Sequence, residues 1–459
     1  MAAIAALERQ VIGPKSEKMP PPSSELRRGE SKEDAEARRL AGLEKRRQRA
    51  AQKQKLKQTT VVHRISDEQR RCPKCGGDAD VALGVGKRTT LFEHVAAYFA
   101  REEHIQEKRA CRCGQYIATA APPARALDKC QYGPGFIAHA ITMKCADSIP
   151  LHRLAKQYQR LGIPMARSTI TRLFHGAAEK LEPLGKRLLA IIAKKEIVQA
   201  DETSLKMQRP NKRGFVWTFL ADDLIAYRFA DNRSGETPLA VLGGTTGTLV
   251  IDGYTGYNRV TDVDGRDRAG CLAHVRRKIF DALATAPVEA RRGLELILDV
   301  YRVEHEAKAR NIVRTPEHLT MRQTRSRAAM DRLHEWLVDE QAKHLPKGPM
   351  GEAIGYALNQ WKRLECFLDN AHIPVDNNAS ESALRVVALG RKNFLFVGDV
   401  EAGANLATLY SLVANCEVRG IDPVAYLKDV LMRVDVHPAS RIDELLPHNW
   451  TPPPTTDTS

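Results

Sequence analysis

Between Glu196 and Ser234 the chain carries three consecutive strand-like runs, EIVQADETSLKM, RGFVWTFLADD and LIAYRFADNRS, with only short turns between them. Runs so closely spaced pair with their neighbours before anything else can reach them. Glu236 to Leu242 then reads as a short helix, and GTLVIDGYTGYN as an apolar strand ending in a Gly-rich turn. Hairpin-like strands followed by a helix and a further buried strand predict an α/β layer built on a mixed sheet. Residues 270–370 are expected to be helical, being rich in Arg, Ala, Leu and Glu, and the strand-rich core is expected to resume after Pro374. The sequence contains no internal repeat.

Ahead of this core the chain changes character several times. Residues 1–65 read as a basic, partly helical or disordered arm, Pro/Ser-rich from Lys18 to Ser24 and dense in Arg, Lys, Gln and Ala from Asp34 to Lys57. Leu40, Leu43 and Ala50 give helical spacing without a sustained heptad, which fits a solvated basic helix or a short coiled coil. Residues 66–125 bring glycines, short strand-like pieces and clustered cysteines. In 126–190 the pattern is helical: Leu151, Leu154, Ala155, Tyr158 and Leu161 share one face, and Gly162-Ile163-Pro164 breaks the helix. Ser168 is placed to cap a second helix, Thr169 to Ala178. Two short helices across a glycine turn fit a helix-turn-helix, with Arg167, Thr169, Thr171 and Arg172 where side chains meet base edges. They fit a helical connector equally well.

Composition narrows the functional classes. With 43% hydrophobic and 28% charged residues among 459, a wholly disordered or collagen-like chain is excluded. No apolar run approaches the roughly 18–20 residues that span a bilayer, and MAAIAALERQVIGPK lacks the basic and apolar regions of a signal peptide, so a cytoplasmic protein is expected. A net charge of +15 favours a polyanionic partner, most simply nucleic acid. Aromatic residues are only 6%, too few for base stacking to dominate such binding.

Nine cysteines in a chain this long do not make a disulfide scaffold. Cys72-Pro-Lys-Cys75-Gly-Gly is a knuckle in which a tight turn points two thiolates to one side, and Cys111-Arg-Cys113 supplies a second pair. Four soft ligands suit a tetrahedral, structural Zn²⁺. The second pair is CxC where CxxC is usual, so His104 is an alternative ligand. Four reduced cysteines without metal also fit the spacing.

Three carboxylates stand out by context. Asp201 lies in the apolar IVQADET, Asp252 terminates TLVID, and Glu381 lies near the start of a helix carrying Ala383, Leu384, Val387 and Ala388. Carboxylates at the ends of buried strands are costly unless paired or bound to cations. Three together would hold two Mg²⁺ or Mn²⁺ ions about 4 Å apart. Each also has a structural alternative: Asp201 as an edge-strand acid, Asp252 as the start of its turn, and Glu381 with Asn378 as a capping box. Asp222, Asp223, Asp262 and Asp264 compete for the same role.

Several blocks in order decide among these readings. DNNASESALRVVALGRKNFLFVGD (376–399), QADET, DGYTGYN, GCLAHVRRKIF (270–280) and ADSIPLHRLAKQYQRLGIPMARSTI resemble the transposases of the insertion sequence 66 family, as do ATLYSLVANCEVRGIDPVAYLKDVL and ELLP near the end. The resemblance covers roughly Cys72 to Trp450. It implies a multidomain α/β protein: a ribonuclease-H-like catalytic core over 191–400 with a helical insertion about 270–370, preceded by the zinc-binding module and helix-turn-helix and followed by a C-terminal segment, 401–459. By motif, Asp201, Asp252 and Glu381 become a metal-binding DDE triad. Cys271 and His274, with Asn377 and Asn378 of the DNN signature, become supporting residues, and packing against the core is an equal reading of the first two. Val386 stands where the family often has Pro.

The activity so implied is metal-dependent cleavage at insertion-sequence ends and strand transfer into target DNA. Its partners would be double-stranded DNA (terminal inverted repeats and target), further copies of the chain, and companion proteins of the same element. Arg385, Arg391 and Lys392 lie beside Glu381, and Arg276, Arg277 and Lys278 follow His274; both sets are expected to neutralise phosphates. A non-catalytic DNA-binding regulator, an inactive relic, or a nuclease that cleaves without joining would keep much of the same sequence.

Overall fold

A computed structural model describes residues 36, 39, 40, 43, 44, 47, 99, 103–106, 108–110, 117–119, 123–261 and 265–452. Cys72, Cys75, Cys111, Cys113, Asp262 and Asp264 lie outside the described residues. Residues 24–100 form one compact unit and 101–459 belong to another. In the first, Glu36, Arg39, Leu40, Leu43, Glu44 and Arg47 are helical, and Arg39 lies 4.0 Å from Glu36. In the second, Lys108–Ala110 and Ile117–Thr119 pair as a short antiparallel ladder.

Three helices then lead into the core: α1 (Pro134–Cys145), α2 (Leu151–Arg160) and α3 (Arg167–Ala193). Gly162, at φ +85°, ends α2, and the Ile163 amide returns to the Tyr158 carbonyl at 2.9 Å, a Schellman-type stop. The second helix differs from expectation. It runs 27 residues rather than ending at Ala178, because Leu181, Leu184, Leu188 and Ile192 continue the buried face begun by Ile170, Leu173 and Phe174. Nor does Ser168 cap it; the capping position is Ala166, with no side-chain bond.

The sheet is built from β1 (Ile197–Lys206), β2 (Arg213–Ala221), β3 (Leu224–Ala230), β4 (Thr248–Val250) and β5 (Asp267–Ala269) in the order β3-β2-β1-β4-β5. The first three pair antiparallel, whereas β1–β4 and β4–β5 are parallel, so the sheet is mixed as expected. Helix α4 (Glu236–Leu242) links β3 to β4. β4 and β5 are only three residues each, shorter than the apolar run TLVID suggests. The outer edge of β3 is closed by polar side chains of α10 (Val400–Val418): Ser411 accepts from the Tyr227 amide at 2.8 Å, and Asn415 accepts from the Ile225 amide and donates to its carbonyl. An edge so covered offers no template for another strand.

Alternate positions of the central strands face different cores. Val198, Ala200 and Leu249 join a main core with α1, α3, α9 (Asn378–Phe394), α10 and α11 (Pro423–Arg433). Ile197, Val250 and Ala269 turn instead toward a second core made by α5 (Leu272–Asp281), α6 (Pro287–Ala309), α7 (Arg327–Gln341) and α8 (Pro349–Leu364). The helical stretch expected at about 270–370 is therefore a packed body with its own interior. Buried Arg322 anchors it, donating to both oxygens of Glu304 and to the Phe367, Asn370 and Ile373 carbonyls. After Pro374 the expected return of strands does not occur among the described residues. The segment is helical, since Ser380, Leu384, Val387 and Gly390 recur on one buried face.

Candidate active site

Strand register brings two of the expected carboxylates together. The parallel β1–β4 ladder ends at Gln199 and Val250; Asp201 and Asp252 each lie two residues further on, near enough that the charge of Asp252 acts on Asp201. Asp201 accepts from the Glu202 amide at 2.8 Å. Burial and then the negative charge of Glu202 push its carboxyl up to about 7, Asp252 adding less, against the opposing pull of the Glu202 amide and, more weakly, of Arg233. Asp252 accepts from the Tyr254 amide at 2.9 Å, so it does start the DGYTGYN turn, and its other oxygen lies 3.9 Å from His274 Nε2. The His274 imidazole is held below its usual range by burial, which outweighs the pull of Asp252. It is neutral near pH 7.

The turn that carries Asp252 leaves no room for side chains at two positions. A Cβ on Gly253 would fall 2.7 Å from the Tyr356 ring, and one on Gly256 2.2 Å from the Tyr254 ring. Glu202, on the opposite face of β1 from Asp201, fastens the turn. Its nearly inaccessible carboxylate accepts from Arg233 Nε at 2.8 Å and from the Tyr257 hydroxyl at 2.7 Å. The Arg233 guanidinium stacks 3.9 Å over the Tyr254 ring, whose hydroxyl donates to the Arg233 carbonyl. From below, Arg268 donates to the Asp252 and Tyr254 carbonyls. Sequence reasoning missed this clamp; the only signal was the paired tyrosines of GYTGYN.

The DNN segment crosses the ends of the same strands. Asn377 donates from Nδ2 to the Ala200 carbonyl at 2.8 Å, its amide donates to Cys271 Sγ at 3.2 Å, and its Oδ1 accepts from Ser380 at 2.6 Å. Asp376 accepts from the Tyr301 hydroxyl in α6 and from the amide and side chain of Asn378. Cys271, Asn377 and Asn378 thus take part in hydrogen bonds that join the segment to the core, and burial pushes the Cys271 thiol up to about 12, which keeps it neutral.

Glu381 lies in the first turn of α9, half-buried. The helix is capped one residue earlier than the sequence suggested, at Asn377, so Glu381 is the fourth helical residue rather than the third and the capping-box alternative fails. The charges that act most on Asp201 are nevertheless Glu202, Asp252 and Arg233, not Glu381. Among the described residues no group of three His, Cys, Asp or Glu side chains is placed to hold a metal ion. Asp222 and Asp223 are paired to Lys195 and Arg419 at the β2–β3 turn, away from this site.

The basic residues divide. Arg167, Arg172, Arg277, Arg385 and Lys392 are exposed and Thr169 is half-buried. Arg276 is 1% exposed, inside the helical body, which corrects its assignment to phosphate. Arg391 is half-buried and donates to Thr203 and Ser204 of β1, so it too is committed to the fold. Lys278 lies 5.0 Å from the centre of the Tyr356 ring.

Family comparison meets this geometry directly. The profile described as transposase IS66 family matches residues 129–405, which include both aspartates, the DNN segment and Glu381. The chain belongs to the IS66 family of transposases. The IS66 C-terminal element matches 411–448, and the zinc-finger binding domain of transposase IS66 matches 69–114, so a zinc-finger domain precedes the transposase domain. Two similar proteins of Sinorhizobium fredii (strain NBRC 101917 / NGR234) are uncharacterized. Protein y4jD is 32% identical over 410 residues, 84% of this chain and 79% of the relative. Protein y4hP is 31% identical over 407 residues, 83% of this chain and 73% of the relative.

Proposed function

We propose that this IS66-family chain is a DDE transposase that cuts DNA at insertion-sequence ends and joins them to target DNA in a divalent-metal-dependent reaction. The observation that carries the reading is the neighbouring Asp201 and Asp252: Asp201 is buried beside the negative charges of Glu202 and Asp252, and the pull of Arg233 only partly offsets them. Hard oxygen donors with unbalanced charge are the donor set for Mg²⁺ or Mn²⁺. When bound, such ions activate the attacking water or 3′-hydroxyl and stabilise the leaving oxygen. Asp201 and Asp252 would hold such ions, with Glu381 as the third carboxylate by family motif, and neutral His274 lies 3.9 Å from the outer oxygen of Asp252. The Glu202–Arg233–Tyr254 clamp keeps the turn of Asp252 against β1. A mixed sheet with one carboxylate on its central strand and another two residues past the end of the parallel neighbour supports a ribonuclease-H-like core.

Cys72, Cys75, Cys111 and Cys113 are read as the structural Zn²⁺ ligands of the zinc-finger domain, and the exposed Arg167 and Arg172 at the start of α3 as DNA contacts. The protein is expected to act in the bacterial cytoplasm as a homo-oligomer that pairs two DNA ends. With Mg²⁺ or Mn²⁺ and a duplex carrying the element's terminal repeats, the wild type is expected to nick or join ends and Asp252→Asn to do neither. Equal activity from the mutant would remove Asp252 from the reaction; binding without cleavage by the wild type would leave a DNA-binding regulator.

A further inference from the structure

Two segments far apart in sequence carry cations and no carboxylate. Residues 203–213, TSLKMQRPNKR, hold Lys206, Arg209, Lys212 and Arg213, and residues 382–398 hold Arg385, Arg391 and Lys392. The fold joins them. The Val397 amide donates to the Lys206 carbonyl at 2.9 Å, and the Gln208 and Arg209 amides donate to the Val397 and Gly398 carbonyls at 2.9 and 2.8 Å. Further back, Arg391 ties α9 to Thr203 and Ser204. Helix α9 therefore runs beside β1 in the same direction, from Ala200 at its start to the β1–β2 hairpin just past its end.

Of the cations on this ledge, Lys212 is spent on Asp231 and Arg391 on β1. Lys206, Arg209, Arg213, Arg385 and Lys392 are exposed, and none forms an ion pair among the described residues. Like charges gathered without counter-ions repel one another, and such a surface is stabilised by a polyanion. Leu389 and Leu395 stand exposed among them, at 52% and 64%, and Leu395 is held at φ +66°, a backbone region unfavourable to a branched residue. Apolar side chains between phosphate-binding cations suit a sugar–phosphate strand better than a free anion.

We infer that the β1–β2 hairpin and the exposed face of α9 form one DNA-binding ledge, with Lys206, Arg209 and Arg213 of the hairpin binding phosphates. The inference rests on the transposase reading for its ligand and goes beyond it in placing the duplex. Lys206 lies five residues along β1 from Asp201, about 17 Å. The odd separation puts the two side chains on opposite faces of β1, so the duplex meets Lys206 at the hairpin end and not across the face that carries Asp201.

Binding tests this without any chemistry. Full-length protein is titrated with a 30-bp mixed-sequence duplex in buffer without added Mg²⁺ or Mn²⁺ and free of chelator, over a range of KCl concentrations, so an inactive enzyme serves as well as an active one. Lys206→Ala/Arg209→Ala/Arg213→Ala is expected to lower the slope of log K against log salt by about 2–3, near 0.9 for each phosphate no longer neutralised. Arg209→Lys/Arg213→Lys is expected to keep the wild-type slope. A control triple on the helical insertion, Arg292→Ala/Arg302→Ala/Arg332→Ala, removes exposed arginines that are ion-paired to Glu295 and Asp299. An unchanged slope in the hairpin triple, with its wild-type circular dichroism retained, overturns the inference, and so does an equal fall in slope from both triples. Loss of cleavage by Asp252→Asn with its DNA slope intact separates the two claims.

Discussion

At the scale of single residues, the burial of Asp201 sets a pH dependence whose sign is fixed. In the metal-free protein its carboxyl is raised from 3.8 to about 7, chiefly by burial, so the folded state binds its proton more tightly than the unfolded chain. The stabilisation this gives is complete below pH 3.8 and is lost as pH rises through 7. Asp201→Asn, neutral throughout, is therefore expected to gain thermal stability over the metal-free wild type as pH increases from 4 to 8. The gain reaches about 1–4 kcal/mol at pH 8 and shrinks when Mn²⁺ saturates the wild type. Paired melting curves check it; a difference independent of pH would mean that Asp201 is not held in its protonated form. Asp201 and Asp252 were legible because apolar neighbours surround each of them. Glu202 was not, since its burial depends on Arg233 and Tyr257, which the sequence places 31 and 55 residues away.

At the scale of elements, the DNN segment latches α9 to the sheet and to the helical body at once. Asn377→Ala leaves the Ala200 carbonyl and the Ser380 hydroxyl without their partner in a buried place, at a cost of about 1–3 kcal/mol. Chemical denaturation should show that loss, and cleavage should fall further than stability alone explains, because the start of the Glu381 helix loses its anchor. Full cleavage by a destabilised Asn377→Ala would separate the latch from the reaction. The strands β1 to β3 and helix α4 were readable from local pattern alone. The length of α3 and the helical course after Pro374 were misjudged for one reason: each depends on a buried face that extends past the local signal into the main core. β5 was missed because three residues carry no period.

At the scale of the whole molecule, the sheet is shared by two interiors, and the aspartate pair lies where β1 and β4 pass between them. The +15 charge is unevenly used: Arg276, Arg322 and Arg266 are consumed inside the fold, whereas the hairpin ledge and the start of α3 leave theirs outside. Among the described residues no helix is long and apolar enough to cross a membrane. For the zinc-finger domain, elemental analysis of purified protein should find one zinc per chain, and Cys72→Ser/Cys75→Ser should abolish it; well under one equivalent in the wild type would remove the four-cysteine assignment. If Asp201 and Asp252, each two residues past the last pair of the β1–β4 ladder, hold a divalent cation, titration of the full-length protein with Mn²⁺, followed by electron paramagnetic resonance, will detect it. Saturable binding at pH 7.5, weakened at least tenfold (about 1.4 kcal/mol) by Asp201→Asn and by Asp252→Asn, is the predicted result. Wild-type Mn²⁺ affinity in both variants would contradict it.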